Sequence, residues 1–239
     1  MPARLYSLSL SHPSQAARLM LEHKGLEHEV VELLAGLHPL QLRAAGFRGG
    51  TVPALKLDGR RVQGSLRISR ALEQERPEPA LFPAARRTAV EEAEAWGERD
   101  LQPVPRRLFR WAASHDSQLR RWLATDVLRL PAPGLMAAGY GPLARVFARM
   151  AGATDARVRS DIAALPANLD RVDELIADGT IGDAVPNAAD FQIATTVRVL
   201  LAFEDLRDRV EGRPAADLAL RILPRFPGPI PRALPAVWL

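Results

Sequence analysis

The sequence has no cysteine. That absence excludes disulfides, thiolate metal sites and every mechanism that runs through a protein thiol, including mixed disulfides on an enzyme cysteine. Lysine is nearly missing too: Lys24 and Lys56 are the only two among 32 basic side chains, and the remainder are arginines spread along the chain. A net charge of +4 and a pI near 10.2 therefore arise without a lysine-rich patch. The densest basic run, residues 102–130, carries six arginines against two aspartates and interleaves Phe109, Trp111 and Trp122. Nucleic-acid readers combine charge and aromatics in this way. An amphipathic helix with arginines outside and aromatics inside accounts for the same pattern, so no nucleic-acid partner is expected. Long apolar runs are lacking as well. The nearest, residues 134–152, is broken by Pro142, Arg145, Arg149 and several glycines, which argues against a membrane span. Met-Pro-Ala-Arg leads directly into an alternating segment without a charged start and an apolar stretch, so a cytoplasmic protein is expected.

What is present suffices for a substantial core: 239 residues, 47% of them hydrophobic. Residues 5–10 alternate with the period of a strand, Tyr6, Leu8 and Leu10 facing one way and Ser7 and Ser9 the other. Residues 13–24 carry apolar side chains at helical spacing and stop at Gly25. A second strand is predicted over 26–34 and a short helical turn over 39–45, ending at Gly46. Residues 54–57 and 61–63 flank Asp58-Gly59, a strong hairpin signal. Ser65 is predicted to cap a helix running to about Arg76. The order β-α-β-α-β-β-α makes the first two strands a parallel pair joined by a right-handed crossover, and the hairpin adds an antiparallel pair.

Pro77, Pro79 and Pro83 bracket a linker, after which strand signals vanish. Helical periodicity recurs over 84–114, 117–128, 155–177 and 188–203, with a kink expected at Pro103 and Pro105. The predicted architecture is an α/β domain over 1–77, an all-α domain over 84–223 and a proline-rich extended arm over 224–239.

This order of elements resembles the glutathione S-transferases, in which a thioredoxin-like N-terminal domain precedes a helical C-terminal domain. The most specific motif is Gly50-Thr51-Val52-Pro53-Ala54-Leu55, similar to the family's signature before the third strand. There the resemblance implies a cis bond ahead of Pro53 and main-chain pairing of Val52 with a bound thiol peptide. Ser11-His12-Pro13-Ser14, at the start of the first helix, resembles the active sites of serine-type, theta-like and zeta-like transferases. A free thiol has a pKa of about 8.5, and a helix N-terminus and a serine hydroxyl each favour its thiolate. Ser11, with Ser14 behind it, is thus the catalytic candidate; simple capping of the helix is the competing reading. Tyr6, the rival used by other classes, is off register by one residue and so faces the other side of the strand, in the core.

Gln63-Gly64-Ser65 resembles the family's pair that holds the γ-glutamyl end of glutathione. Ser65 matches, and a helix-start N–H with a hydroxyl suits a carboxylate. Gly64 stands where the family has an acidic or amide side chain, and Thr51 where several classes have lysine. Gly36-Leu37-His38 resembles the Gly-x-His in which His38 meets the glycine carboxylate. Pro186-Asn187-Ala188-Ala189-Asp190 resembles the capping box of the family's buried helix, a folding feature.

The resemblance implies a detoxification enzyme that conjugates glutathione, or a related low-molecular-weight thiol, to a hydrophobic electrophile. It implies no metal, a homodimer, and an electrophile pocket between the domains walled by Leu10, Trp96, Arg99 and Gln102. The alternative is a non-catalytic member that keeps the fold as a binding or interaction module.

Overall fold

The computed structural model describes residues 2–226 and 228–239, so Pro227 of the proline-rich segment lies outside the described residues. The chain divides into two compact units, Met1–Arg99 with Leu175–Thr196, and Asp100–Glu174 with Val197–Leu239.

In the first unit, β1 (Ala3–Ser7), β2 (His28–Glu32), β3 (Ala54–Leu57) and β4 (Arg60–Gln63) form one sheet in the order β2-β1-β3-β4. β1 and β2 are parallel, with Ser7 opposite Glu32, while β1–β3 and β3–β4 are antiparallel, with Tyr6 opposite Ala54 and Ala54 opposite Gln63. β1 ends three residues earlier than its alternation suggests. The chain turns there, the Ser11 N–H donating to the Leu8 carbonyl at 2.8 Å. The Asp58-Gly59 hairpin has both central residues at positive φ, 45° and 78°, the combination a two-residue turn of this hand requires.

Three helices complete this α/β layer: α1 (His12–His23), α2 (His38–Ala44) and α3 (Ser65–Glu75). Tyr6, Leu33, Leu42, Phe47 and Ala54 form one core cluster, so α2 covers the Tyr6 face of the sheet. Tyr6 is a packing residue, its ring edge-on to Phe47 at 5.3 Å. Alternation leaves Leu5 and Leu55, both fully buried, on the other face, where α1 and α3 pack on each other.

Lys24 ends α1 as a buried cation with all three ammonium donors filled: Glu73 Oε2 at 2.5 Å and the carbonyls of Pro77 and Pro79 at 3.0 and 2.7 Å. Glu73 in turn accepts from the N–H groups of Leu81 and Phe82 at 2.9 and 3.2 Å. This pair fastens the proline segment to α1 and α3, so the first unit runs past it into α4 (Arg87–Trp96).

The long helical pattern over 84–114 is broken. A 3₁₀ turn precedes α4, a π turn follows at Gly97–Leu101, and α5 (Pro103–His115) starts afresh with its proline in the first turn, where a missing N–H has no partner to lose. After it come α6 (Ser117–Trp122), α7 (Pro133–Met150), α8 (Asp155–Ala177), α9 (Ala188–Ala202), α10 (Arg207–Val210) and α11 (Pro214–Ile222). The pattern over 117–128 is α only to Trp122 and closes as a π turn over Leu123–Val127.

α7 and α11 were not expected. Pro142 and the glycines of α7 disguise a helix that packs its small residues Ala137, Gly141, Ala144 and Ala148 inward, in contact with α5 and α6. In the second unit two arginines of residues 102–130 tie elements together. Arg107 makes a two-pronged bond to Asp161 at 2.5 and 2.7 Å, Arg120 reaches the carbonyls of Ala113 and Ala137, and Trp111 donates to Asp155 at 2.9 Å. Near the C-terminus Ile230 pairs with Phe203 in an isolated parallel bridge, and Ala236–Trp238 forms a 3₁₀ turn.

Candidate functional site

Hydrogen bonds and strand register gather the sequence candidates at one end of the four-stranded sheet. β1 delivers Ser7 there, and the Leu33 N–H donates to the Ser7 carbonyl at 2.8 Å, which brings the exit of β2 alongside. From that exit the His38 N–H donates to the Leu34 carbonyl at 2.9 Å as α2 begins. β3 runs the opposite way, so its entrance, Val52-Pro53, lies at the same end; Val52 and Leu8 pack against the same core cluster. Finally the Gly64 N–H donates to the Pro53 carbonyl at 2.9 Å and carries the ladder to the start of α3. Ligand sites in open sheets with parallel strands lie at the carboxyl ends of those strands, which is where β1 and β2 end here.

Ser11 is the N-cap of α1, with extended backbone at φ −80° and ψ 99°. Its Oγ accepts from the Ser14 N–H at 3.4 Å and from the Ser14 hydroxyl at 2.9 Å. Ser14 is buried, so its proton is directed at Ser11 and its role is to position that oxygen. Ser11 itself is only half-buried, and accepting two bonds leaves its own proton available to donate.

The bond ahead of Pro53 is cis, as the resemblance implies. Among the described residues no backbone bond extends the ladder as far as Val52. Loop 49–51 is held by one side chain: Gln63 Oε1 accepts from the Gly49 N–H at 3.1 Å, and Gln63 Nε2 donates to the Thr51 carbonyl at 2.6 Å. Gln63 thus uses both its amide oxygen and its amide nitrogen within its own fold. Thr51 is exposed, and His38 is half-buried as the first residue of α2.

Ser65 departs from its expected place. It is not the cap of α3 but the first helical residue; Gly64 is the N-cap, at φ 94° and ψ 142°, and no side chain bonds to the helix start. The positive φ is one that glycine alone adopts without strain. The consequence is chemical. Ser65 is 1% exposed and its buried Oγ has no hydrogen-bond partner, at a helix start whose first N–H groups no side chain caps. A buried hydroxyl without a partner is uncommon and calls for an explanation.

Of the residues expected to wall an electrophile pocket, Trp96 is buried, Leu10 half-buried and Arg99 exposed. Sequence reading overlooked Glu94. Its position four residues after Val90, on the apolar face of α4, was the available signal. Glu94 is fully buried, and Arg70 of α3 donates to it at 2.5 Å while its other carboxylate oxygen has no partner. Burial pushes its carboxyl up to about 7, with Ser69 and Arg70 holding it lower than burial alone would. The capping box is formed as expected. Asn187 Oδ1 accepts from the Ala189 and Asp190 N–H groups at 2.9 and 3.2 Å, and Asp190 accepts from the Asn187 N–H at 2.9 Å.

Residues 5–80 match the family model of the glutathione S-transferase N-terminal domain. Similar solved structures cover most of the chain. A glutathione S-transferase from Rhodospirillum rubrum F11 is 22% identical over 99% of this chain and 97% of its own, with a TM-score of 0.56. Beta-etherase LigF from Sphingobium sp. strain SYK-6 is 19% identical over 92% of this chain and 99% of its own, with a TM-score of 0.62. A glutathione S-transferase from Methylobacterium radiotolerans JCM 2831, in complex with glutathione sulfonate, is 20% identical over 98% of this chain and 97% of its own, with a TM-score of 0.54. No curated protein matches the chain. At these identities the likeness establishes the fold.

Proposed function

From the premise that this chain has the glutathione S-transferase fold and carries that family's N-terminal domain at residues 5–80, we propose that it binds glutathione, or a related thiol, and conjugates it to an electrophile. The observation that carries this reading is Ser65. Its buried, unpartnered hydroxyl at the start of an 11-residue helix offers what a carboxylate needs: a neutral donor, open N–H groups and the positive end of a dipole. The γ-glutamyl carboxylate would sit there, the peptide main chain would pair with Val52, and His38 and Thr51 would face the glycine end. The relative solved with glutathione sulfonate adds support for this ligand class.

The thiol would then lie above α1. Ser11, still holding its own proton, donates to the sulfur and lowers its pKa together with the helix start. Deprotonation to solvent gives the thiolate. The thiolate forms a carbon–sulfur bond with the electrophile, and the leaving group departs with the electron pair of the broken bond. Nothing in this sequence of events calls on a protein thiol, which the chain lacks.

A second reading, a binding module without turnover, has its own support. Gln63 is held on loop 49–51 through both its amide atoms and Gly64 has no side chain, so the motif has no acidic side chain to meet the ligand's ammonium group. Calorimetric titration with glutathione, followed by a conjugation assay with a chlorodinitrobenzene, separates the two. The enzyme reading expects binding and turnover, with turnover falling in Ser11→Ala while binding persists. Binding without turnover supports the module, and no binding of any thiol overturns both.

A further inference from the structure

The inward side of α7 is accounted for; its outward side is not. Leu135, Val146 and Met150 project opposite the packed residues Ala137, Gly141, Ala144 and Ala148, and Met136 and Leu143 widen the same stripe. Leu135 is 76% exposed and Met150 78%, and the other three are more than two-fifths exposed. Isolated apolar side chains on a surface need no explanation, but a stripe along an 18-residue helix does. Charge identifies what it suits. No Asp or Glu stands between Asp126 and Asp155, whereas Arg129, Arg145 and Arg149 do, all three exposed. The chain as a whole has nearly balanced charge, with 28 acidic side chains against 32 basic ones, so this acid-free stretch is a local departure.

We propose that this face of α7 docks on an anionic lipid bilayer. An in-plane helix of this kind buries aliphatic side chains at the level of the acyl boundary, while arginine stems extend along it and their guanidinium groups reach the headgroups. The other partners fit less well. A second copy meeting residues 133–150 with the same residues would set arginines against arginines, with no acid in that stretch to pair them. A nucleic acid would use the arginines and leave the apolar stripe in water. Protein interfaces also favour methionine and arginine, but the aromatic anchors that dominate their affinity are lacking on the outward side, Tyr140 and Phe147 being half-buried beside each other.

The test is flotation of the full chain with phosphatidylcholine vesicles containing phosphatidylglycerol, against phosphatidylcholine alone, at low and high salt. Flotation is expected with the anionic vesicles at low salt and to be lost on neutral ones. Leu143→Asp with Val146→Asp should abolish it at an unchanged melting temperature; should that pair unfold the chain, the more exposed Leu135→Asp with Met150→Asp serves instead. Replacing Arg145 or Arg149 by Ala should weaken binding roughly fivefold each. Absence of flotation, or flotation indifferent to the aspartates, overturns the proposal. So does a solution dimer that the same aspartates split, or a DNA complex formed where flotation fails.

Discussion

Two serines stand at two helix starts at the same end of one sheet, and the fold treats them differently. Ser11 occupies the capping position of α1, so its oxygen is bonded twice, by the N–H and the hydroxyl of Ser14. Ser65 stands one place further in, because Gly64 takes the cap of α3 at φ 94°. Its hydroxyl is buried and bonded to nothing. A shift of one position along the chain thus decides whether a hydroxyl is bonded at its own helix start or left without a partner. The first hydroxyl contributes to stability by being used; the second is tolerated by the fold at some loss, which a bound carboxylate would reverse.

The comparison can be broken most sharply at Ser65. Ser65→Ala should weaken glutathione binding between about tenfold and a hundredfold, the worth of one hydrogen bond to a charged group. It should leave the melting temperature unchanged or slightly raised, since an unsatisfied buried group is removed. Titration calorimetry and thermal denaturation on the same sample check both halves. The mirror-image variant is Ser11→Ala, which should lose about 1 kcal/mol of folding stability through the missing cap, measured by urea denaturation, with glutathione affinity little changed. If both variants behaved alike, the distinction between the two starts would be void.

Smaller changes sharpen the contrast. Gly64→Ala places a side chain at positive φ and should destabilise by about 1 kcal/mol; the space around a Cβ there is open, so backbone strain is the sole cause. A large loss of packing in that variant's structure would contradict it. Midway along α3, where Arg70 meets Glu94 of α4, the fold has its own pH-dependent contact. Glu94 has a folded pKa of about 7, above the ordinary carboxyl value near 4.5, so protonation favours the folded state. Its contribution is fully present below pH about 4.5 and is lost as pH rises through about 7. Glu94→Gln should flatten this part of the stability profile, seen in melting temperatures across that range, without touching the Ser65-dependent affinity.

Much of this arrangement was legible because it depends on neighbours in sequence. Asp58-Gly59 announces its hairpin, Asn187 and Asp190 announce their capping box, and Val52-Pro53 marks the entrance to β3. What escaped depends on conformation or on distant partners. Ser65 reads as a cap because serine favours that position; nothing local reveals that Gly64 displaces it. Gln63 stands in the motif that resembles the γ-glutamyl site, yet it serves loop 49–51, whose N–H at Gly49 stands 14 positions away. The buried state of Glu94 follows from Arg70, on another helix. α7 was hidden by Pro142 and by an inward face of Ala and Gly, which carries no strong apolar period.

The central claim is that Ser65 and the start of α3 recognise a carboxylate. The most direct measurement is a double-mutant cycle by calorimetry, pairing wild type and Ser65→Ala with glutathione and with an analogue whose γ-glutamyl carboxylate is an amide. The account predicts that wild type discriminates against the amide by tenfold or more and that Ser65→Ala loses most of this discrimination. Equal discrimination by both proteins would contradict it.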